Sequence, residues 1–182
     1  MNQTLVRSFL ATTLAFAIPL QAAQVKLAGQ TFTVPDGFDI QLVADTNLVL
    51  RPVSASFDDQ GRLYVTDSSG SNEKPSEQIK HPNHRVLRLE DTDGDGMFDK
   101  SVVFADKVMF PQGCLWHGGS VYVAGPPSIW KFTDTDGDGV ADQREEWFKG
   151  GTLTGCANDI HMIKQDNKKT RKYFSKVFTL RC

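Results

Sequence analysis

The chain has 182 residues, which is long enough to bury a hydrophobic core, and its 20 basic and 22 acidic residues give a formal net charge of −2. No nucleic-acid partner is expected, because the basic residues 162–182 do not read as a nucleic-acid-binding arm. Beyond the N-terminal segment, no stretch is long and apolar enough to span a membrane.

The first 22 residues have the pattern of a secretory signal peptide. Arg7 supplies a positive charge, residues 9–20 are an apolar run, and Ala22 is a small residue suited to signal peptidase. The run is shorter than the roughly 20 apolar residues of a membrane span. We therefore expect a signal helix over residues 1–22. We also expect an exported protein, periplasmic or extracellular, in a setting that is oxidising and rich in calcium.

Short strands are predicted after this segment. Residues 38–44 alternate between apolar and polar side chains and predict the one clear strand of residues 24–50. Residues 51–57 and 62–66 flank a four-residue turn and predict a β-hairpin. The polar stretch at 67–83 predicts a long loop, and we expect His81 and His84 there to face solvent.

An acidic nine-residue motif occurs twice, as Asp91–Asp99 and, 43 residues later, as Asp134–Asp142. An alternating segment precedes each copy, and its predicted inward-facing pairs are Leu87 with Leu89 and Trp130 with Phe132. A period of about 40–50 residues built from short strands is typical of a β-propeller blade. The sequence therefore predicts an all-β protein in which residues 23–161 form a partial propeller of about three blades. An unclosed ring exposes sheet edges, so self-association is also expected.

The acidic motif has the ligand order of a calcium loop. Asp stands at positions 1, 3 and 5, Gly at position 6, and a further acid at position 9. The alternative is that Asp and Gly only form tight turns, but four carboxylates in nine residues repel one another unless a cation is present. The predicted ligands are Asp91, Asp93, Asp95, the Met97 carbonyl and Asp99 in the first loop, and Asp134, Asp136, Asp138, the Val140 carbonyl, Asp142 and Glu145 in the second.

The second loop is predicted to be the stronger site. Glu145 stands at its position 12, where a bidentate carboxylate closes a calcium loop. The first loop has Val102 at this position, which cannot bind a metal.

The three cysteines leave two alternatives open. Cys114 and Cys156 occupy equivalent positions in successive repeats, so they form either a disulfide between neighbouring inner strands or two buried thiols. Cys182 is left unpaired in both cases. No Cys-x-x-Cys-His sequence is present, so no c-type haem site is expected.

The composition changes after His161. Residues 162–182 contain seven Lys and Arg, one acid, no Gly and no Pro. We expect an atypical basic tail, produced by truncation or a frame shift, that is helical or disordered and packs poorly on the sheets.

The order of these motifs resembles a family of membrane-bound dehydrogenases whose N-terminal region is similar to the soluble quinoprotein glucose/sorbosone dehydrogenases. The resemblance covers about residues 30–161. It is carried by the order and spacing of several motifs, which are Arg51-Pro-Val, Gly61-Arg-Leu-Tyr-Val65, the two acidic loops, Val103-Phe-Ala-Asp106, Trp116–Ala124 and Cys156-Ala-Asn-Asp-Ile-His161.

The resemblance implies a six-bladed propeller that binds pyrroloquinoline quinone (PQQ) with the help of calcium. In that family a histidine takes the hydroxyl proton of a sugar or alcohol substrate while hydride passes to the quinone, and His161 matches this base by its context. The later blades with their quinone contacts, and the haem c domain of full-length relatives, are not in this sequence. We therefore expect an exported fragment of a quinoprotein-type dehydrogenase that is inactive alone. The alternative is a non-catalytic, calcium-stabilised propeller module that binds a protein or glycan partner.

Overall fold

The computed structural model of the protein describes residues 22–70, 73–151, 160, 163 and 164. In these residues there are ten β-strands and one short helix, and every strand pairing is antiparallel. The all-β prediction is therefore confirmed. The elements are β1 (Ala22–Leu27), β2 (Gln30–Pro35), β3 (Pro52–Phe57), β4 (Leu63–Asp67), α1 (Pro75–Lys80), β5 (His84–Glu90), β6 (Lys100–Val108), β7 (Gly113–His117), β8 (Ser120–Gly125), β9 (Ser128–Thr133) and β10 (Gln143–Phe148).

Neither terminus of the chain is described, with consequences for two predictions. The signal helix predicted for residues 1–22 lies outside the described part except for Ala22, which begins β1. Most of the predicted basic tail also lies outside it. No helix of the described part is long and apolar enough to cross a membrane.

The chain divides into two units, Met1–Leu42 and Val43–Cys182. The described part of the first unit contains the β1–β2 hairpin, which pairs from Ala22 opposite Pro35 to Leu27 opposite Gln30. Ala28 and Gly29 form its two-residue turn with φ values of 49° and 77°. Positive φ at both central residues is the turn geometry that matches the twist of a hairpin.

The prediction of a single strand at residues 38–44 is wrong. The structure has two strands earlier in this stretch and none at 38–44. Apolar alternation makes a strand only where another strand is available to pair with it. The Val43 carbonyl instead accepts the amide of Phe98, at 2.8 Å. Phe38 is 74% exposed, so its apolar side chain is not the buried strand residue that was expected.

The second unit contains two four-stranded sheets. The first has the order β3-β4-β5-β6 and the second the order β10-β9-β8-β7, so in each sheet consecutive strands are neighbours. The predicted hairpin of residues 51–57 and 62–66 is confirmed as β3 and β4. Its turn is fixed by Asp58, which is buried and accepts the amides of Gln60 and Arg62 at 2.9 Å each.

The main core lies between the two sheets. Side chains from both of them are buried there, including Tyr64, Val86 and Phe104 from the first and Val121 and Phe132 from the second. A smaller cluster on the other face of the first sheet joins Leu87 and Leu89 to Val49. Leu87, Leu89 and Phe132 are therefore buried as predicted, and Trp130 is half-buried. Strand β5 is buried on both faces, so it does not have the single inward face that its alternation predicted.

The predicted loop at 67–83 contains α1. Pro75 starts this short helix, Glu77 lies in its first turn and Lys80 in its last, as the helix dipole favours. Gln78 is fully buried and donates to Glu73 at 2.9 Å and to Asn83 at 2.6 Å. The segment is thus held by its own polar contacts.

A third cluster covers the outer face of the second sheet. Tyr122, Ala124 and Ile129 pack there with Ile160 and Ile163, and the last two are only 5% and 6% exposed. Ile163 belongs to the predicted tail, so the expectation that the tail packs poorly is wrong for this residue. An apolar side chain that close to a sheet is buried whatever the charge of the residues that follow it.

Candidate metal centre

Each acidic loop joins the third and fourth strands of its sheet. Asp91–Asp99 connects β5 to β6, and Asp134–Asp142 connects β9 to β10. In both loops the amide of the position 9 residue donates back to the last part of the preceding strand, from Asp99 to the Glu90 carbonyl at 3.0 Å and from Asp142 to the Thr133 carbonyl at 3.1 Å. The two strands of the sheet therefore close each loop at its base.

The two loops share one set of internal hydrogen bonds. In the second loop Asp134 accepts the Gly137 amide at 2.7 Å and the Gly139 amide at 2.9 Å, while Asp136 accepts the Asp138 amide at 3.2 Å and Asp138 accepts the Val140 amide at 2.7 Å. The first loop repeats these bonds at 2.7, 2.9, 3.2 and 2.8 Å, with acceptors Asp91, Asp93 and Asp95 and donors Gly94, Gly96, Asp95 and Met97.

The glycines of the motif are required by the backbone. Gly94 and Gly96 have φ values of 79° and 90°, and Gly137 and Gly139 have 84° and 96°. These are left-handed conformations that glycine adopts at no steric cost. Two such residues in each loop curl the backbone so that alternate side chains turn to one side.

The curled loops bring three carboxylates together in each repeat. One oxygen from each of Asp91, Asp93 and Asp95 lies within 4.8 Å of the others, and the same holds for Asp134, Asp136 and Asp138. The first residue of each group is half-buried and the other two are exposed. Hard carboxylate oxygens at this spacing fit the coordination preference of Ca²⁺.

The position 9 carboxylates brace the loops from inside. Asp142 accepts the Thr135 amide at 2.8 Å and the Thr135 hydroxyl at 2.8 and 2.9 Å, and Asp99 accepts the Thr92 hydroxyl at 2.7 Å. The Thr135 amide is the largest cause that lowers the pKa of Asp142, and the Gly96 amide is the largest cause that lowers the pKa of Asp91. Both carboxylates are thus kept in the charged form that a cation needs.

Glu145, the predicted ligand at position 12, does not join the group of three. It lies on β10 opposite Lys131, and its carboxylate is 61% exposed and 3.6 Å from the Lys131 amine. A calcium loop that runs into a helix returns position 12 toward the ion, whereas the extended strand here carries it along the sheet. The structure therefore does not place Glu145 where it could strengthen the second site.

A buried arginine approaches the second loop only. Arg88 on β5 has a side chain that is 5% exposed, and it lies in the interior with one nitrogen 3.5 Å from Asp134 Oδ2 and another bonded to Glu90. It also fills the space beside Gly139, where an added Cβ would clash with its guanidinium group. The first carboxylate of the second loop is therefore already paired with a cation from the neighbouring sheet.

The remaining predicted site residues are His161, Cys156 and Cys182, and all three lie outside the described residues. Cys114 is a free, buried thiol that donates to the Tyr64 carbonyl at 3.7 Å, and burial raises its pKa to about 12. Pairing of Cys114 with Cys156 stays a prediction.

Sequence reasoning missed Arg88 and His84. Arg88 interrupts an apolar strand, which is a signal that a buried charge needs a partner, but nothing in the sequence says that the partner is 46 residues away in Asp134. His84 was expected to face solvent because it follows a polar stretch. Instead it begins β5 and is only 3% exposed.

Comparisons with known proteins identify a family without an assigned activity. No curated protein and no solved structure matches the chain. The model of a family described as "Domain of unknown function (DUF7133)" matches residues 24–167, which is most of the sequence and extends six residues beyond His161. The chain therefore belongs to the DUF7133 family.

Proposed function

We propose that this protein is a calcium-binding segment of a β-propeller, in which each acidic loop holds one Ca²⁺ ion that stabilises the sheet carrying it. The observation that carries the proposal is the repeat of one loop, bond for bond, at the same place in two consecutive sheets. Turn formation alone needs only one or two of these carboxylates. A cation explains why three of them converge twice.

The packing of the sheets supports the propeller part of the proposal. The first strands of the two sheets, β3 and β7, lie beside each other, and the Ser54 and Ser56 hydroxyls accept the amides of Cys114 and Trp116 at 3.2 and 2.9 Å. Adjacent first strands are what a ring of radially arranged four-stranded sheets requires.

The faces of the sheets repeat in the same sense. Leu87 and Leu89 face the segment that precedes the first sheet, where Val49 packs on them. The residues 43 positions later are Trp130 and Phe132, and they contact the core shared with the first sheet. Each sheet thus turns the same face to its predecessor, which supports rotation about a common axis.

Calcium in this proposal has a structural role. Each loop places several negative charges at one end of a sheet, where their mutual repulsion opposes folding. An ion that binds only the folded loop stabilises the protein by RT ln(1 + [L]/Kd), about 2.7 kcal/mol at a hundredfold excess over Kd. The proposal places the protein outside the cytoplasm, where calcium concentrations suffice for weak sites.

The test separates a metal site from a set of turns. Asparagine at positions 93 and 136 keeps the Oδ1 acceptor of each turn and removes one ligand charge from each site. The double variant Asp93→Asn, Asp136→Asn should fold in the absence of calcium and lose most of the rise in melting temperature that calcium gives the wild type. Asp59→Asn, in the β3–β4 turn, is the control and should keep that rise. A wild type whose melting temperature ignores both calcium and chelator would disprove the proposal.

A second candidate function is the PQQ-dependent sugar or alcohol dehydrogenase implied by the sequence resemblance. The support for a propeller just described favours it, since that is the scaffold of the quinoprotein relatives. His161 would act as the base that takes the substrate proton, and its surroundings lie outside the described residues. Dye reduction with added PQQ, calcium and an alcohol or aldose tests it. Activity that is lost in His161→Ala and kept in His81→Ala supports the dehydrogenase. Inactivity is the result expected both of an incomplete dehydrogenase and of a module that binds a protein or glycan partner.

A further inference from the structure

A pocket of about 220 Å³ lies at the end of the first sheet opposite to its acidic loop. Its wall is made by Arg51 and Val53 at the start of β3, Ser68 after β4, His84 at the start of β5, and residues 110–112 before β7. Four separate segments therefore converge on it. None of them belongs to the acidic loops, so the pocket is independent of the proposed calcium sites.

Two polar side chains on this wall are buried without a hydrogen-bond partner. Among the residues that the structure describes, neither ring nitrogen of His84 has a partner, and the Ser68 hydroxyl has none. His84 is 3% exposed and Ser68 is 7% exposed, so bulk water does not satisfy them. Because an unpaired buried polar group costs its desolvation penalty in full, folded proteins keep few of them, and each one calls for an explanation such as a ligand.

These two side chains present hydrogen-bond donors and acceptors together. Burial is the largest cause that lowers the pKa of His84, so its imidazole is neutral at pH 7. A neutral imidazole has one N–H donor and one acceptor nitrogen, and the Ser68 hydroxyl can both donate and accept. A carboxylate only accepts and an ammonium group only donates, so neither would satisfy both residues. The matching ligand has a donor and an acceptor of its own.

The charged groups near His84 also favour a neutral ligand. Glu73 and Asp67 act on His84 as anions, and Arg51 acts on it as a cation. Glu73 accepts side-chain amides from α1 and from the residue before β5, at 2.9 and 3.3 Å. Asp67 pairs with Arg85 at 2.9 Å, and Arg51 is engaged in an interaction of its own. Each of these charges thus has partners within the protein, and together they offer no excess of positive charge to an anion.

The rest of the wall is largely apolar. Val53, Phe110 and Pro111 line it, and the ring centroid of Phe110 lies 5.3 Å from that of His84, with the two rings at 85°. Phe110 has a φ of 42°, a left-handed conformation that bulky residues rarely adopt. Strained positions of this kind cluster at sites that hold ligands, where the surrounding structure enforces them.

We propose that this pocket binds a small neutral molecule through a carboxamide group, whose N–H pairs with the acceptor nitrogen of His84 and whose carbonyl accepts the Ser68 hydroxyl. A carboxamide carries its donor and its acceptor on separate atoms of one plane, so each of the two residues has a partner. A hydroxyl would have to serve both from one oxygen. A cavity of about 150 Å³ holds benzene, so a pocket of about 220 Å³ suits a molecule the size of benzamide.

NMR titration of the full chain with benzamide, in excess calcium, tests the proposal. Acetophenone and benzoate are the matched probes, because they replace the amide nitrogen of benzamide with a methyl group and with a charged oxygen. Benzamide should shift the signals of the pocket residues. Both probes should bind at least about tenfold more weakly, since each leaves the acceptor nitrogen of His84 unpaired.

Variants of the two polar residues separate their roles. His84→Phe keeps an aromatic ring beside Phe110 and should remove the preference for benzamide over acetophenone, a ratio that a general loss of packing would not change. Ser68→Ala should weaken both ligands roughly fivefold, the loss expected for one hydrogen bond to the carbonyl that they share. Both variants should keep or raise the melting temperature without ligand, because they remove unsatisfied groups. His81→Ala, at an exposed histidine after α1, should bind as the wild type does.

Three results would overturn the proposal. The first is a wild type that does not bind benzamide or binds it away from the pocket. The second is acetophenone or benzoate binding as tightly as benzamide. The third is a preference for benzamide over acetophenone that neither His84→Phe nor Ser68→Ala reduces.

Discussion

The two acidic loops are alike inside and different outside. Their internal hydrogen bonds agree to within 0.1 Å at each equivalent position. Within the part of the chain that the structure describes, no residue of another sheet forms an ion pair with the first loop, whereas Asp134 of the second loop lies 3.5 Å from Arg88. The sequence of each loop thus determines its backbone shape, and the neighbouring sheet determines whether a cationic side chain lies beside its carboxylates. Under the proposed calcium binding, the ion alone offsets the carboxylates of the first loop, whereas Arg88 already offsets part of the charge of the second.

Arg88→Met removes the built-in charge and is expected to have the largest effect. The buried Arg88 links Glu90 to Asp134. Glu90 also pairs with Lys100 at 3.0 Å, so removing the guanidinium leaves Asp134 uncompensated, at a cost of about 3 kcal/mol. The melting temperature without calcium should fall by several degrees, and the rise produced by calcium should exceed that of the wild type. Calorimetric scans with calcium and with chelator measure both quantities.

Arg85→Met is the control for that experiment. Arg85 lies on the same strand and pairs with the buried Asp67, far along β5 from the loop. It should lose stability while its gain from calcium stays at the wild-type value. If calcium raised the melting temperature of the Arg88 and Arg85 variants equally, Arg88 would have no specific effect on the second loop.

Alanine in place of the glycine at position 6 should destabilise the two loops by different amounts, and this difference should be smaller than the effect of Arg88→Met. Gly96 has φ 90° with nothing within 4 Å of an added Cβ, so Gly96→Ala should cost only the left-handed backbone, about 1 kcal/mol. Gly139 has φ 96°, and its Cβ would also displace Arg88, so Gly139→Ala should cost about 2 kcal/mol. Urea unfolding in chelator gives the two values, and Gly139→Ala costing no more than Gly96→Ala would contradict the crowding by Arg88.

The order of calcium affinity is the next expected difference. A guanidinium beside Asp134 opposes a second cation there, and Glu145 is engaged by Lys131 and does not supply a sixth ligand. The first loop should therefore bind calcium roughly tenfold more tightly than the second, a difference of about 1.4 kcal/mol. This reverses the order expected from position 12 alone. Titration of Asp93→Asn should remove the tighter phase and titration of Asp136→Asn the weaker one, and the opposite assignment would refute this order.

The smallest expected effects are shifts in the pKa values of two loop carboxylates. The folded-state pKa values of Asp91 and Asp142 are lowered by amide donors, Gly96 first for Asp91 and Thr135 first for Asp142. A lowered carboxyl pKa stabilises the fold above its unfolded value, near 3.9, and this contribution is lost as pH falls through the folded value. NMR titration should place both groups below the ordinary range. Thr135→Val keeps the amide of residue 135 and removes the Thr135 hydroxyl, the second cause that lowers the pKa of Asp142. The pKa of Asp142 should therefore move part of the way back toward the ordinary range while that of Asp91 stays unchanged, and a shift of both would point to a change in fold.

Local signals in the sequence predicted the local structure well. The β3–β4 hairpin follows from alternation around a turn, and both acidic loops lie between strands as their flanks indicated. The failures concern partners that are distant in sequence. Residues 38–44 alternate like a strand but form none in the structure, and His84 is buried because segments on both sides of it in the chain fold over it. Arg88 reaches a loop in the next sheet, which no pattern within β5 encodes.

The two serines of β3 set the register between the two sheets. Ser54 and Ser56 are two residues apart on one face of their strand, and the amides they accept, at Cys114 and Trp116, are also two residues apart. A slip of one residue would lose both contacts, because it turns the serines to the other face, and a slip of two would lose one. The two sheets are therefore aligned in discrete steps by hydrogen bonds from backbone amides of β7 to side chains of β3.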